Sequence, residues 1–237
     1  ALRRVGVALR ASGGVGPVRR PDRGPLVMLP RVAAVVAAVH GGAEAARDHS
    51  HRRVVAWLSQ RAEVDATVHG TLAFNRALIE ALLGDPEAVL RETQVIGSVD
   101  PGLFGHQAEA MAVLRAWALA RCGDVGAVDN AARAVAAVAV SRDRTLSGAL
   151  QAFGGDALLV SGDARAIEVL AAARAECEQR GEVWWLSEIV RLQAEADRRF
   201  AGGERTNALL DEAERIATDQ AAQLVLDRIA RSRAAVA

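Results

Sequence analysis

Three glycine-aspartate dipeptides lie at equal intervals along this 237-residue chain. The three copies start at Gly84, Gly123 and Gly162, and each continues with an alanine four residues and a branched aliphatic residue five residues after the glycine. A looser copy, Gly202-Gly203, follows the third after nearly the same interval. Self-similarity at a period of about 20 to 50 residues is typical of arrays in which one supersecondary unit stacks on its neighbours. The period therefore predicts a repeat architecture.

Each copy of the dipeptide lies between two stretches with the apolar spacing of helices. Glycine can adopt the left-handed conformation that ends a helix, and Asp85, Asp124 and Asp163 can accept hydrogen bonds from the free amides of the next helix. The predicted helices before the turns (leading helices) are Val68–Leu83, Gln107–Cys122, Thr145–Ser161 and Val183–Ala201, and those after the turns (trailing helices) are Pro86–Ile96, Val125–Val140, Ala164–Arg180 and Arg205–Thr218. A last helix over 221–236 would cap the array. The sequence thus predicts an all-α fold, a right-handed α-solenoid of four to five helix pairs with a period of about 39–40 residues.

Composition favours helices over strands and excludes some chemistry. Hydrophobic residues make up 51% of the chain but aromatic residues only 3%, whereas sheets favour aromatic and β-branched side chains. Lysine is absent, so neither a P-loop lysine nor a Schiff-base lysine exists here. No apolar run approaches the roughly 20 residues of a membrane span. Cys122 and Cys177 lie far apart within predicted helices, which predicts two buried thiols in a reducing compartment, and hence a cytoplasmic protein.

The first 28 residues differ from the rest of the chain. They are rich in glycine, proline and arginine, and residues 1–31 hold seven arginines against one aspartate. We expect a flexible basic arm or linker over 1–28 and a helical repeat domain over 29–237. Gly13-Gly14-Val15-Gly16 has the glycines of a phosphate loop, but Pro17 stands where the lysine would be. Nucleic-acid binding through the arm would use arginine-phosphate contacts, and we consider an arginine-rich linker the commoner explanation.

A helix, then Gly-Asp-x-x-Ala-Val/Ile, then a second helix resembles the tetratricopeptide repeat, although the period here is longer than that family's usual one. The last unit looks like the helical array of large bacterial ATP-binding regulators, in which a nucleotide cyclase or ATPase module precedes the array and a LuxR-type helix-turn-helix often follows. The stretches that carry this second resemblance are Gly181–Trp185, Glu188, Arg191-Leu192, Ala194-Glu195 and Leu209–Ala213. The resemblance covers roughly residues 29–237 and implies a regulatory role.

Sequence alone offers few residues for chemistry, and we predict no catalytic, cofactor-binding or metal-binding residue. His49 and His51 with Asp48 resemble metal ligands, but on a helix the two histidines would point about 200° apart, which favours a solvated polar face. Trp184 and Trp185 are adjacent, so both cannot face one core stripe, and we expect Trp185 to pack and Trp184 to be partly exposed.

These observations predict a non-catalytic interaction or regulatory scaffold whose groove holds a protein, a peptide or a small effector. The groove contacts should come from the leading helices, and the candidate residues are Asn75, Arg76, Arg115, Gln151 and Trp184. The alternative is the regulatory segment of a nucleotide cyclase or ATPase whose catalytic domain lies outside this chain. The flanking coding sequence would distinguish the two.

Overall fold

The computed structural model describes residues 38–40, 42, 45–47, 66–94, 106–140 and 146–235. The predicted arm over 1–28 and the Asp48–His51 cluster lie outside this part of the chain. Within it all regular structure is helical, as predicted, with nine α-helices longer than one turn and one 3₁₀ turn. The helices are α1 Ala66–Leu83, α2 Pro86–Gln94, α3 His106–Arg121, α4 Ala127–Val140, α5 Ser147–Val160, α6 Ala166–Arg180, α7 Leu186–Phe200, α8 Thr206–Asp219 and α9 Gln223–Ala234, and the 3₁₀ turn is Val183–Trp185.

The three Gly-Asp corners share one backbone geometry. Gly84, Gly123 and Gly162 have φ of 86°, 81° and 81°, which is the left-handed conformation predicted for them. The amide of the following aspartate donates a hydrogen bond of 2.9 to 3.0 Å to the carbonyl five residues earlier, as in a Schellman motif. Each corner therefore ends the leading helix in the same way.

Each corner aspartate accepts a hydrogen bond from an amide that follows it, but only Asp85 caps its trailing helix, because Asp124 and Asp163 bond the residue just before the helix begins. Asp85 Oδ1 accepts from the amide of Ala88 at 2.9 Å, three residues on. Asp124 and Asp163 accept from amides only two residues on, at 2.7 and 2.9 Å. The chain consequently makes an extra turn there, and α4 and α6 begin two residues later than the sequence predicts.

The fourth corner, at Gly202-Gly203, is built differently from the other three. Gly202 and Gly203 both have left-handed φ, 83° and 79°, but no aspartate follows them. Instead, Asp197 in α7 accepts hydrogen bonds at 3.0 Å from the Arg205 amide and the Thr206 hydroxyl. A side chain of the preceding helix thus holds the residues at the start of α8.

The odd-numbered helices lie side by side. Consecutive helices contact each other along the chain, and in addition α1 contacts α3, α3 contacts α5, α5 contacts α7 and α7 contacts α9. The even-numbered helices pack between their sequence neighbours, with the corner alanines Ala88, Ala127 and Ala166 buried at the start of three of them. One continuous hydrophobic core runs through all of these contacts.

The central helix, α5, is buried almost completely: thirteen of its 14 residues are buried. Its glycines make this possible, because there is no room for a side chain. A Cβ at Gly154 would lie 2.0 Å from Val135 Cγ2 of α4, and one at Gly155 would lie 2.7 Å from Leu170 Cδ2 of α6. Two helices therefore approach α5 more closely than alanine would permit.

Candidate ligand cavity

The odd-numbered helices line an open cavity of about 390 Å³, called the central cavity below. Every odd-numbered helix contributes to its walls. Its lining residues are Ala81, Leu83, Gly84, Trp117, Arg121, Ala152, Phe153, Asp156, Trp185, Glu188, Arg191, Leu192, Glu195, Leu224, Arg228, Arg231, Ser232 and Ala235. The cavity is thus a product of the stacking and belongs to no single helix pair.

A row of aromatic rings runs across three successive leading segments at one wall of this cavity. Trp117 of α3 meets Phe153 of α5 edge to face, with 5.6 Å between ring centroids. Phe153 in turn stacks on Trp185, at 6.0 Å. All three side chains are buried, as predicted for Trp185. Aromatic contacts of this kind fix the relative rotation of neighbouring helices.

The first polar group of the cavity is centred on Asp156 of α5. Its Oδ2 accepts a 2.7 Å hydrogen bond from the indole Nε1 of Trp117, in the preceding unit. The guanidinium of Arg121 donates to both carboxylate oxygens at 2.7 Å. A carboxylate buried inside a helix requires such partners, because desolvation of an unpaired charge is costly.

The second polar group joins α7 to α9. Arg191 donates to both oxygens of Glu188 at 2.8 and 2.9 Å, and Arg228 of α9 donates to Glu188 Oε1 at 2.8 Å. Arg191 also bonds Glu195 and, at 3.1 Å, the hydroxyl of Ser232, which itself donates to Glu195 at 2.7 Å. These five side chains form one continuous network.

Charge pairing determines the protonation states in this network. Burial alone would raise the pKa of Glu188, but the guanidiniums of Arg191 and Arg228 outweigh it and lower that pKa to about 2. Burial would lower the pKa of Arg191, but the carboxylates of Glu188 and Glu195 outweigh burial and raise that pKa. Glu188 is therefore ionised at neutral pH and is committed to its two arginines.

Arg228 links α9 to α1 at the wall of the cavity. Its Nη2 donates to the Leu82 carbonyl at the end of α1, at 2.5 Å, and its guanidinium carbon lies 5.8 Å from the Trp185 ring centroid. Arg199 makes the equivalent bond within the array, donating to the Leu159 carbonyl at the end of α5 at 2.6 Å. In both cases an arginine side chain bonds a carbonyl at the C-terminal end of a leading helix. Arg199 does so between α7 and α5, and Arg228 between α9 and α1.

None of the five candidate groove residues lines the central cavity. Asn75 and Gln151 are buried, and Gln151 donates to Ser147 Oγ at 3.1 Å within α5. Arg76 lies 3.7 Å from a Glu92 carboxylate oxygen, and the exposed Arg115 donates to Thr93 Oγ1 at 3.3 Å. The half-buried Trp184 packs on Trp185 at 5.5 Å. The structure therefore places them on other faces of the leading helices, and their role in a partner groove stays a prediction.

The residues that sequence reasoning missed are the charged ones in the middle of leading helices. A signal for them exists: Trp117, Asp156 and Glu195 follow one another at the same spacing as the Gly-Asp corners. Their polar groups interrupt the apolar stripes of their helices and recur with the period of the repeat. That recurrence would have indicated a polar surface shared by successive leading helices.

The two cysteines have different environments. Cys177 is buried against α5, and burial, aided by the nearby Glu182 and Glu176 carboxylates, raises the pKa of its thiol to about 12. Cys122 is exposed, so the prediction of two buried thiols is wrong for it. It follows the last residue of α3 at a corner, where the chain leaves the core.

Comparison with protein-family models, with curated proteins and with solved structures found no match. Within the described residues, no helix has the length and apolar character needed to cross a membrane. The same residues contain no group of three histidine, cysteine, aspartate or glutamate side chains arranged to hold a metal ion.

Proposed function

We propose that the described helices form a right-handed α-solenoid of tetratricopeptide-like pairs. Two observations support it. The odd-numbered helices contact each other in order, and three equally spaced corners repeat one hydrogen-bonding pattern. Arrays of this kind present a continuous inner surface to a ligand.

We further infer that the chain is a non-catalytic regulatory scaffold, the helical-repeat segment of a bacterial signalling or transcriptional regulator, and that the central cavity is where it receives a peptide or small effector. The observation that carries this proposal is the cavity itself, to which every odd-numbered helix contributes. A ligand there would touch all the units at once, so its binding would change their relative rotation. The carboxylates of Asp156 and Glu188 support binding over catalysis, since both oxygens of each are held by donors.

A steric block of the cavity rim tests this function. Ala235 lines the cavity and is exposed, whereas the neighbouring Ala234 is exposed and does not line it. The wild-type protein and the variants Ala235→Trp and Ala234→Trp are purified from the cells that make them, and species bound to each are identified by native mass spectrometry. The proposal requires a protein, peptide or metabolite that stays with the wild type and Ala234→Trp and is lost from Ala235→Trp. Equal retention by all three proteins, or no retained species, would contradict it.

A further inference from the structure

We propose that the central cavity binds a small organic anion, a molecule that joins a carboxylate or phosphate group to an apolar body. This inference rests on the proposed function, which makes the cavity the ligand site of the array. It adds the chemical class of the ligand and a residue that selects it.

The charged side chains of the cavity leave an excess of positive charge. Four arginines and three carboxylates line it, namely Arg121, Arg191, Arg228 and Arg231 with Asp156, Glu188 and Glu195. Each of the three carboxylates already accepts hydrogen bonds from cavity side chains. The arginines keep unused hydrogen-bond donors, because each guanidinium offers five N–H groups. A ligand entering the cavity therefore meets mainly unused donors and a net positive charge.

Arg231 is the clearest of these unused donors. It lies on α9 and is exposed, and its guanidinium forms no hydrogen bond or ion pair with any residue in the described part of the chain. Arg121, on α3, has a side chain that is 38% exposed although it pairs with Asp156. Two accessible guanidiniums thus reach the cavity from helices in different units. Arginine forks match the geometry of carboxylate and phosphate groups.

The remaining walls suit an apolar body. Aliphatic side chains from four odd-numbered helices line the cavity beside the buried aromatic row, namely Ala81, Leu83, Ala152, Leu192 and Leu224. The volume of about 390 Å³ falls at the lower end of the range of about 300 to 1,000 Å³ that small-molecule sites occupy. An organic anion of modest size can therefore place its charged group on the arginines and its body against these side chains.

A matched pair of probes tests the charge preference. The ¹⁵N-labelled full chain is titrated with 2-naphthoate and separately with the neutral isostere 2-naphthamide, and the indole N–H signals are followed by NMR. Because Trp117 and Trp185 line the cavity, their signals should move in a saturable way with 2-naphthoate. The neutral amide should bind at least about ten-fold more weakly, since it lacks the charge-assisted bonds. A third titration with 2-naphthyl phosphate compares the two anionic groups, and tighter binding of either one than of the amide supports the proposal.

The variant Arg231→Gln identifies the residue responsible. It should weaken 2-naphthoate binding by about ten-fold, the usual effect of losing a charged hydrogen bond, and leave the amide unaffected. Arg215→Gln is the matched control, because Arg215 is an arginine on α8 with a side chain that is 66% exposed and outside the cavity lining. Its affinity for 2-naphthoate should equal that of the wild type. Arg231 has no partner in the described fold, so its variant should keep the wild-type melting temperature.

Three results would overturn the proposal: equal affinity for the amide and both anions, no change in Arg231→Gln, or no saturable shift with either anion. Equal affinities would leave the central cavity a site for neutral ligands, and the proposed function would survive. The rim-block experiment does not depend on charge, so the two ideas can fail separately.

Discussion

Gly154 is the position where adding a single methyl group tests the packing of α5 against α4 most sharply. Replacing it with alanine should raise helix propensity by about 1 kcal/mol. The new Cβ, however, would lie 2.0 Å from Val135 Cγ2, where carbon atoms normally approach to about 3.5 to 4.0 Å. Overpacking of this kind costs about 1 to 3 kcal/mol, and at so short a distance we expect the upper part of that range. The net prediction for Gly154→Ala is a loss of about 1 to 2 kcal/mol.

The matched background is Val135→Ala, which removes the clashing methyl group. In that background the nearest remaining atom is the residue-135 Cβ at 3.5 Å, an ordinary contact. Gly154→Ala should then stabilise the protein by up to about 1 kcal/mol, through helix propensity alone. The double-mutant cycle therefore predicts a coupling energy of about 2 kcal/mol between the two positions. Urea denaturation of all four proteins, followed by circular dichroism, measures it. If Gly154→Ala stabilised the protein equally in both backgrounds, α4 and α5 would not be in contact and the packing described here would be refuted.

Other predictions concern backbone, charge and thiols. Gly123→Ala should lower the unfolding free energy by about 1 to 2 kcal/mol through its left-handed φ alone, because nothing lies within 4 Å of its Cβ position. Ala221→Gly should raise it by up to about 1 kcal/mol, since Ala221 has φ 51°. Urea denaturation measures both changes, and a stabilising Gly123→Ala or a destabilising Ala221→Gly would contradict the backbone geometry. The lowered pKa of Glu188 contributes stability that is complete above its unfolded pKa near 4.5 and is lost as the pH falls towards about 2. The unfolding free energy of the wild type should therefore decrease over that pH window, and that of Glu188→Gln should decrease much less. An unfolding free energy of the wild type that stayed constant from pH 5 to pH 2 would contradict this. A thiol reagent should modify Cys122 in the native protein and Cys177 only after unfolding, and two fast-reacting native thiols would contradict the burial of Cys177.

Local chemistry explains why the corners could be predicted from sequence. A glycine in the left-handed conformation and an aspartate that caps the next helix act over a short stretch of chain, so Gly84-Asp85 specifies its own turn. The fourth corner could not be predicted in full, because its acceptor, Asp197, precedes the turn and lies inside the leading helix. Helix starts shifted for a similar reason, since Asp124 and Asp163 bond amides two residues on.

The central cavity lay beyond prediction because it depends on contacts between helices that are far apart in the sequence. Arg228 contacts the Leu82 carbonyl across 146 residues of sequence, and nothing in the repeat pattern indicates that α9 reaches the end of α1. The candidate groove residues come from the same leading segments as the cavity lining but lie on other faces, and their role in a partner groove stays a prediction. Which stripe of a leading helix faces inward depends on the rotation of each helix against its neighbours, and the aromatic row of Trp117, Phe153 and Trp185 sets that rotation.

The most direct test of the stacked array is an NMR measurement of nuclear Overhauser effects along that aromatic row. Trp117, Phe153 and Trp185 come from three successive units, and their ring centroids lie 5.6 and 6.0 Å apart. The account predicts cross-peaks from Trp117 to Phe153 and from Phe153 to Trp185 in the wild-type protein, and loss of both in Phe153→Leu. Absence of either wild-type cross-peak would show that the leading helices do not lie side by side and would contradict the stack.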